Sequence, residues 1–287
     1  MKALIKIKKL LNDNSLDAYI IPKNDEFFGE YAFPNRLKTA TNFSGSAGFA
    51  LITKLTNYLF VDGRYLIQSK IECGKNFKIV EIPYSYPKNI LNYNKIKKVG
   101  YDPKLFTSLT LERYFGFKFQ LISIKENFVD SFILEKKKKI KSFFQIEDKV
   151  VGEKVASKIN RLHKILKKKG SSNIFISAPE NVAWLLNIRG NDNPNSPIPN
   201  SRLILDKYKN IFFFCDLKKI KNIRKKIKYK KIKFLNFNQF FDVVSNLDQK
   251  NFAIDKLTCS VYFQSLIESR FYINLYEDPI YHLKSIK

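Results

Sequence analysis

The side chains of this chain that could do chemistry are few, and Arg64 is the most informative of them. It follows an apolar run of strand length, Tyr58-Leu59-Phe60-Val61, that closes on the turn pair Asp62-Gly63. A helix-compatible segment, Tyr65 to Ile71, comes next. This order aims a guanidinium fork out of a strand end. A planar fork suits a peptide carbonyl or a carboxylate. The same fork can instead pair with a local carboxylate at the strand end, and the sequence leaves both uses open. Other chemistries find little support. His163 lies beside Leu162 in a helical stripe and reads as a surface or partly packed residue. His282 sits near the end of the chain, in a segment expected to fray. No Asp, Glu and His set has metal-ligand spacing. Gly45-Ser46-Ala47-Gly48 is not a Gly-x-Ser-x-Gly elbow and has no supporting His. No Gly-x-Gly-x-x-Gly follows a strand. The three Cys, at 73, 215 and 259, are too widely spaced for a disulfide framework or a zinc site. The expected thiols are reduced, and the expected compartment is the cytoplasm.

The elements that must carry these residues occur twice. Leu4, Ile5, Ile7, Leu10 and Leu11 fit an amphipathic helix, and Ala18-Tyr19-Ile20-Ile21 a buried strand. Val155, Ile159, Leu162, Ile165 and Leu166 give a second helical stripe. Lys167-Lys168-Lys169-Gly170 ends it with cations at the negative end of the helix and a glycine to stop it. Ile174-Phe175-Ile176 then reads as a strand. Each half continues through a helix-like segment and a glycine-containing turn to an apolar strand ending in Asp, at Asp62 and at Asp216. The offset of about 150 residues predicts a duplicated domain rather than a short-period solenoid. Alternating strands and helices predict an α/β class. The expected domains are 1–140 and 150–280, separated by the lysine-rich stretch from Leu134 to Val150, with 281–287 as the start of a connector.

Five short motifs, in order, carry a resemblance: Tyr19-Ile20-Ile21-Pro22, Glu30-Tyr31, Arg36-Leu37, Phe43-Ser44-Gly45-Ser46-Ala47-Gly48 and Asp62-Gly63-Arg64-Tyr65. Together they closely resemble the amino-terminal domain of Xaa-Pro aminopeptidase (aminopeptidase P), a fold shared with creatinase and prolidase. In the second half, Glu180 to Gly190 resembles the Ile-Ala-Trp-Leu-Leu-Asn-Ile-Arg-Gly segment of the same enzymes. Asp192 and Asn195-Ser196-Pro197 stand where the family often has Asp and His-Asn-Pro; that His is absent. Asn42 replaces a common Gly, and the Trp and Arg-Pro often seen near the domain boundary are missing. Asp278-Pro279-Ile280 and Leu283 to Lys287 resemble the family's connector into a third domain.

The resemblance implies two tandem ribonuclease-H-like domains, each a mixed sheet with flanking helices. It implies a metallohydrolase that removes an amino-terminal residue preceding proline, using two divalent ions, manganese or zinc, held in the third domain by two Asp, one His and two Glu. It implies a homodimer in which the Arg of the Asp-Gly-Arg-Tyr motif, here Arg64, reaches the peptide in the neighbouring subunit's active site. The first domain would serve dimerisation and the substrate entrance. The chain is expected to stop before the catalytic domain, to bind no metal itself and to be inactive alone. That domain would be supplied in cis or in trans. The alternative is a stand-alone, non-catalytic module that binds a partner protein or a separately encoded catalytic domain.

The charge of +26 invites a polyanion partner. Nearly all the excess is Lys, whereas nucleic-acid readers lean on Arg for bidentate contacts. The enrichment in Lys, Asn, Ile and Phe runs through the chain, as an AT-rich genome would produce. Blocks such as Glu135 to Lys141 read as solvated faces. No specific nucleic acid is expected, only adhesion that weakens with salt. Hydrophobic content is 45%, ordinary for a globular protein, and no apolar run approaches the roughly 18 residues that span a bilayer.

Overall fold

Both halves of the chain build the alternating elements that their apolar patterns call for. The computed structural model describes residues 2–31, 33–92, 95–133, 140–247 and 251–286. They fall into two units, Met1–Lys136 and Lys137–Lys287. The block from Glu135 to Lys139 and the terminal Lys287 lie outside the described residues.

The first unit runs α1 (Lys2–Asp13), β1 (Ala18–Pro22), α2 (Arg36–Thr41), β2 (Phe49–Thr53), β3 (Asn57–Asp62), α3 (Leu66–Cys73), β4 (Lys78–Ile82), α4 (Pro87–Ile90), β5 (Lys98–Tyr101), α5 (Ser108–Phe115) and β6 (Gln120–Ser123). Its sheet has the order β4-β3-β2-β1-β5-β6. The pairs β1–β2 and β2–β3 are antiparallel, and the other three are parallel. Every residue of β1 and β2 is buried, so both strands read as continuous apolar runs rather than alternations. On α1 the buried stripe is Leu4, Ile7 and Leu11. Ile5 was expected on that stripe but is 69% exposed. One residue beyond Leu4 is a rotation of about 100°, which carries Ile5 off the core face. Asn42 ends α2 at φ 69, a left-handed position that Asn tolerates where Gly is common.

The second unit runs β7 (Phe144–Gln145), α6 (Asp148–Val151), α7 (Val155–Lys168), β8 (Asn173–Ile176), α8 (Pro179–Leu186), β9 (Ile188–Arg189), β10 (Arg202–Leu205), β11 (Ile211–Phe214), β12 (Ile232–Leu235), α9 (Phe240–Ser245), β13 (Asn251–Ile254), α10 (Val261–Glu268), β14 (Tyr272–Leu275) and α11 (Pro279–Ser285). Its main sheet has the order β12-β11-β10-β8-β13-β14. The sequence of parallel and antiparallel pairs repeats that of the first unit strand for strand. The expected duplication is therefore a duplication of topology, and each unit is a mixed sheet flanked by helices. The stripe on α7 buries Val155, Ile159, Leu162 and Leu166, and Gly170 follows the helix at φ 67.

Two stretches differ from the sequence reading. Residues 140–149 are not a spacer. Phe143 is fully buried in the second core, and Phe144-Gln145 pairs antiparallel with Ile188-Arg189. Burying a Phe side chain stabilises by about 1.5–3 kcal/mol, enough to fold a polar stretch onto the unit that supplies the contact. The segment expected to fray is α11, which sends Ile280 and Leu283 into the same core.

Candidate functional site

Arg64 owes its position to the end of β3. The Asp62 carboxylate caps a single turn of 3-10 helix, Gly63–Tyr65, by accepting the Arg64 N–H at 3.0 Å. The same carboxylate accepts the guanidinium in two bonds, Nε to Oδ1 at 3.0 Å and Nη2 to Oδ2 at 2.7 Å. Each charge supports the other. The Arg64 hydrogen bond holds the Asp62 carboxyl below its ordinary range, and Asp62 raises the Arg64 guanidinium. The local pairing that the sequence left open is present. The Arg64 side chain nonetheless remains 72% exposed. Its fork is therefore oriented from one side and presented to solvent on the other.

The turn from Phe43 to Gly48 is built against the same strand end. Gly48 sits at φ 141, and a Cβ there would come within 2.7 Å of the Phe60 carbonyl oxygen. Only glycine allows that approach. Tyr65 packs edge-on against Phe43, with ring centroids 5.7 Å apart, and its hydroxyl lies 2.8 Å from Ser46 Oγ. Ser44 donates its backbone N–H and its hydroxyl to Glu72 at 2.7 and 2.5 Å. These bonds hold the Glu72 carboxyl below its usual range. Lys23, just past β1, donates to the Glu30 carbonyl at 3.2 Å. Burial lowers the Lys23 ammonium, against the pull of Asp25, Glu30 and Tyr65. The Phe43–Gly48 turn and the Asp62–Tyr65 motif thus meet at one rim. Of the groups described there, the Arg64 guanidinium is the one left largely exposed. Ser46 is partnered by Tyr65 and not by an imidazole, so no hydrolytic pair is assembled there.

The motif from Glu180 to Gly190 is a structural device. It forms α8, ended by Asn187 at φ 54. Lys158 of α7 is buried beneath it, donating to the Trp184 carbonyl at 2.8 Å and to Asn187 Oδ1 at 2.5 Å. A cation thus sits at the negative end of α8. Its ammonium also stands 4.3 Å from the Trp184 ring centroid. Gly190 leaves no room for a side chain, because a Cβ would come within 2.7 Å of Pro199 Cα. In the loop that follows, Lys219 donates to Asp192 at 2.5 Å and Asn200 N–H donates to the same carboxylate at 2.7 Å.

Sequence reasoning missed the buried polar groups that close each unit. Arg36 is 4% exposed and forks onto Asp130 at 2.6 and 3.0 Å, with Glu26 at 2.7 Å. After β5, Asp102 takes Asn127 and the Lys104 N–H; after β13, Asp255 takes Thr258 and the Leu257 N–H. Burial raises both carboxyls. Asp278 is 3% exposed, caps α11 through the Ile280 N–H at 2.9 Å, and accepts from Asn181 of α8 at 2.7 Å. Lys284 donates to the other end of the Asn181 amide. The available signal was an Asp directly after an apolar strand in both halves, which the offset places at equivalent positions.

His163 lies with Nε2 2.8 Å from the Lys207 carbonyl, and His282 is exposed on α11. Among the described residues, no group of three or more His, Cys, Asp or Glu could hold a metal ion. Cys73, Cys215 and Cys259 are free and buried. Among the described residues, no helix is long and apolar enough to cross a membrane.

The Creatinase/Prolidase N-terminal domain family matches the chain twice, over residues 4–131 and over residues 135–287. The chain belongs to that family. Across both domains it is similar to the amino-terminal region of Xaa-Pro aminopeptidases. It is 29% identical over 270 residues to Xaa-Pro aminopeptidase 1 of Dictyostelium discoideum, covering 87% of this chain and 43% of that protein. It is 31% identical over 208 residues to a probable Xaa-Pro aminopeptidase P of Laccaria bicolor, covering 68% of this chain and 32% of that protein. The chain thus spans less than half the length of these relatives. The fold is shared with the X-prolyl aminopeptidase of Caenorhabditis elegans, described as a cytosolic enzyme with a di-nuclear active site. That structure superposes at a TM-score of 0.83 with 22% identity, over 96% of this chain and 50% of that one.

Proposed function

We propose that this chain is the non-catalytic amino-terminal portion of a cytoplasmic Xaa-Pro aminopeptidase, working as a homodimer. The first unit, Met1–Lys136, mediates dimerisation and helps to close the substrate entrance, and Lys137–Lys287 forms the second domain. Peptides with proline at the second position are the substrates. The two divalent ions, manganese or zinc, supply the hydrolytic chemistry from a catalytic domain present in cis or in trans. What this chain contributes is Arg64, which reaches the peptide held by a neighbouring subunit.

The observation that carries this reading is the Asp62–Arg64 fork, oriented by two bonds and yet 72% exposed. A guanidinium held in this way loses little side-chain freedom when it meets a carbonyl or carboxylate. The test is to fuse the chain to the catalytic domain of the Dictyostelium discoideum relative and measure hydrolysis of an Xaa-Pro peptide. Arg64→Ala is expected to lower kcat/KM by roughly 5- to 160-fold, the equivalent of a lost polar contact worth about 1–3 kcal/mol. Arg64→Lys should restore only part, since a point charge cannot reproduce the fork. If both variants hydrolyse at the parent rate with an unchanged fold, Arg64 serves local structure alone.

A further inference from the structure

The excess positive charge is not spread evenly over the two units. The first carries 21 Lys and Arg against 13 Asp and Glu, and the second carries 31 against 13. The duplicated topology supplies an internal control for where the difference lies. In the first unit the crossover between β3 and β4, residues 63–77, holds three cations and Glu72. In the second, the equivalent crossover between β11 and β12, residues 215–231, holds nine cations and Asp216. A compositional drift toward Lys acts on both copies alike. It does not account for a threefold difference between equivalent segments of one chain.

The structure shows how this segment is held. Ile220, Ile223 and Ile227 are 4%, 0% and 8% exposed and pin it to the second core. The residues between them are turned outward, and eight of the nine cations are solvent-exposed. Lys219 is instead turned onto Asp192. Next to this row lies Tyr208, 56% exposed, with Lys207 Nζ 4.7 Å from its ring centroid. The Tyr208-Lys209 turn is tied to the row by two bonds: Lys231 donates to the Tyr208 carbonyl at 3.1 Å, and the Tyr229 hydroxyl donates to the Lys209 carbonyl at 2.8 Å.

We infer that the crossover from Cys215 to Lys231, together with Tyr208, is a binding surface for a single-stranded nucleic acid, engaged through its phosphates without sequence preference. The cations neutralise phosphates, and the exposed phenol ring offers a face on which a base can stack. Lysines without a bidentate Arg set read no base edges. An anionic bilayer fits less well, because the isoleucines of the segment are buried and leave only the Tyr208 ring to insert. An acidic peptide without aromatic residues or Arg would meet the cations but gives the ring no stacking partner.

The test uses the full chain, a fluorescein-labelled 20-nucleotide oligouridylate and fluorescence anisotropy from 50 to 200 mM KCl. If about five phosphates are neutralised, affinity should fall about 100-fold over that range, a log–log slope of about −3.5. A variant combining Lys221→Gln, Lys225→Gln, Lys226→Gln, Lys228→Gln and Lys230→Gln should bring the slope close to zero. A charge-matched control combining Lys70→Gln, Lys75→Gln, Lys78→Gln, Lys88→Gln and Lys118→Gln should leave it unchanged. Tyr208→Ala should weaken binding about fivefold or more at fixed salt without altering the slope. Trp184 fluorescence and circular dichroism verify that each variant is folded. Equal losses from the two lysine sets would overturn the inference. So would tighter binding of polyglutamate, or of phosphatidylserine vesicles, than of the oligonucleotide at the same salt.

Discussion

Asp278 offers a quantitative test of how the second domain is closed. Its carboxyl is 3% exposed and lies between the start of α11 and Asn181 of α8. Burial pushes it up from 3.8 to about 6; the Ile280 N–H, the Asn181 amide and the Lys284 charge pull the other way, and Asp255 adds to the rise. A carboxyl whose native pKa lies above its unfolded value stabilises the fold in its protonated form. Its contribution is complete below pH 3.8 and is lost as the pH rises through about 6. At about 1.4 kcal/mol per tenfold, the whole effect is about 3 kcal/mol, of which about 2 kcal/mol falls between pH 4.5 and 7.5. The perturbation is Asp278→Asn, which removes the ionisation and keeps an acceptor for Ile280. Trp184, the one Trp of the sequence, lies in the same unit as Asp278, one turn along α8 from Asn181. Its fluorescence during urea unfolding therefore reports on that unit. The stability of Asp278→Asn minus that of the parent should rise by about 2 kcal/mol from pH 4.5 to 7.5. The subtraction cancels carboxyls that do not interact with Asp278; Asp255, which does, stays in the difference. A flat difference profile would mean that Asp278 titrates as an ordinary carboxyl, and would refute the burial argument.

Three further outcomes are expected. The purified chain should release no amino-terminal residue from Xaa-Pro peptides with added manganese or zinc, as read by chromatography of the products; metal-dependent release would sink the non-catalytic assignment. A chelator and a reductant should leave the thermal midpoint unchanged, and a thiol reagent at pH 8 should react only after unfolding. Burial pushes Cys73 to about 11 and Cys215 to about 12, and raises Cys259 as well, so the thiolate is scarce at all three. Gly190→Ala should destabilise the second unit by about 1–3 kcal/mol in the same urea assay, because the new Cβ meets Pro199 backbone that cannot step aside.

The sequence by itself determined the local features of this protein. Continuous apolar runs named β1, β2 and β8, and the i, i+4, i+7 stripe of α7 named its buried face, because burial on one face imposes a period that survives without coordinates. The strand–Asp-Gly–Arg order placed Arg64 at a strand end, and repeated order at a fixed offset revealed the duplication. Tertiary structure decided what those residues meet. That Asp62 itself holds the Arg64 fork is still local, set by the 3-10 turn Gly63–Tyr65 that bends the guanidinium back. That Phe143 belongs to the second core, and that Asp278 closes α11 onto α8, depends on contacts between residues far apart in sequence. Lys158 shows the limit most plainly. In the sequence it is one more lysine on a basic helix, whereas in the fold it is buried, because the carbonyl end of α8 and the Asn187 side chain replace its water. A charged residue is read as exposed by default, and only a partner brought in by the fold reverses that.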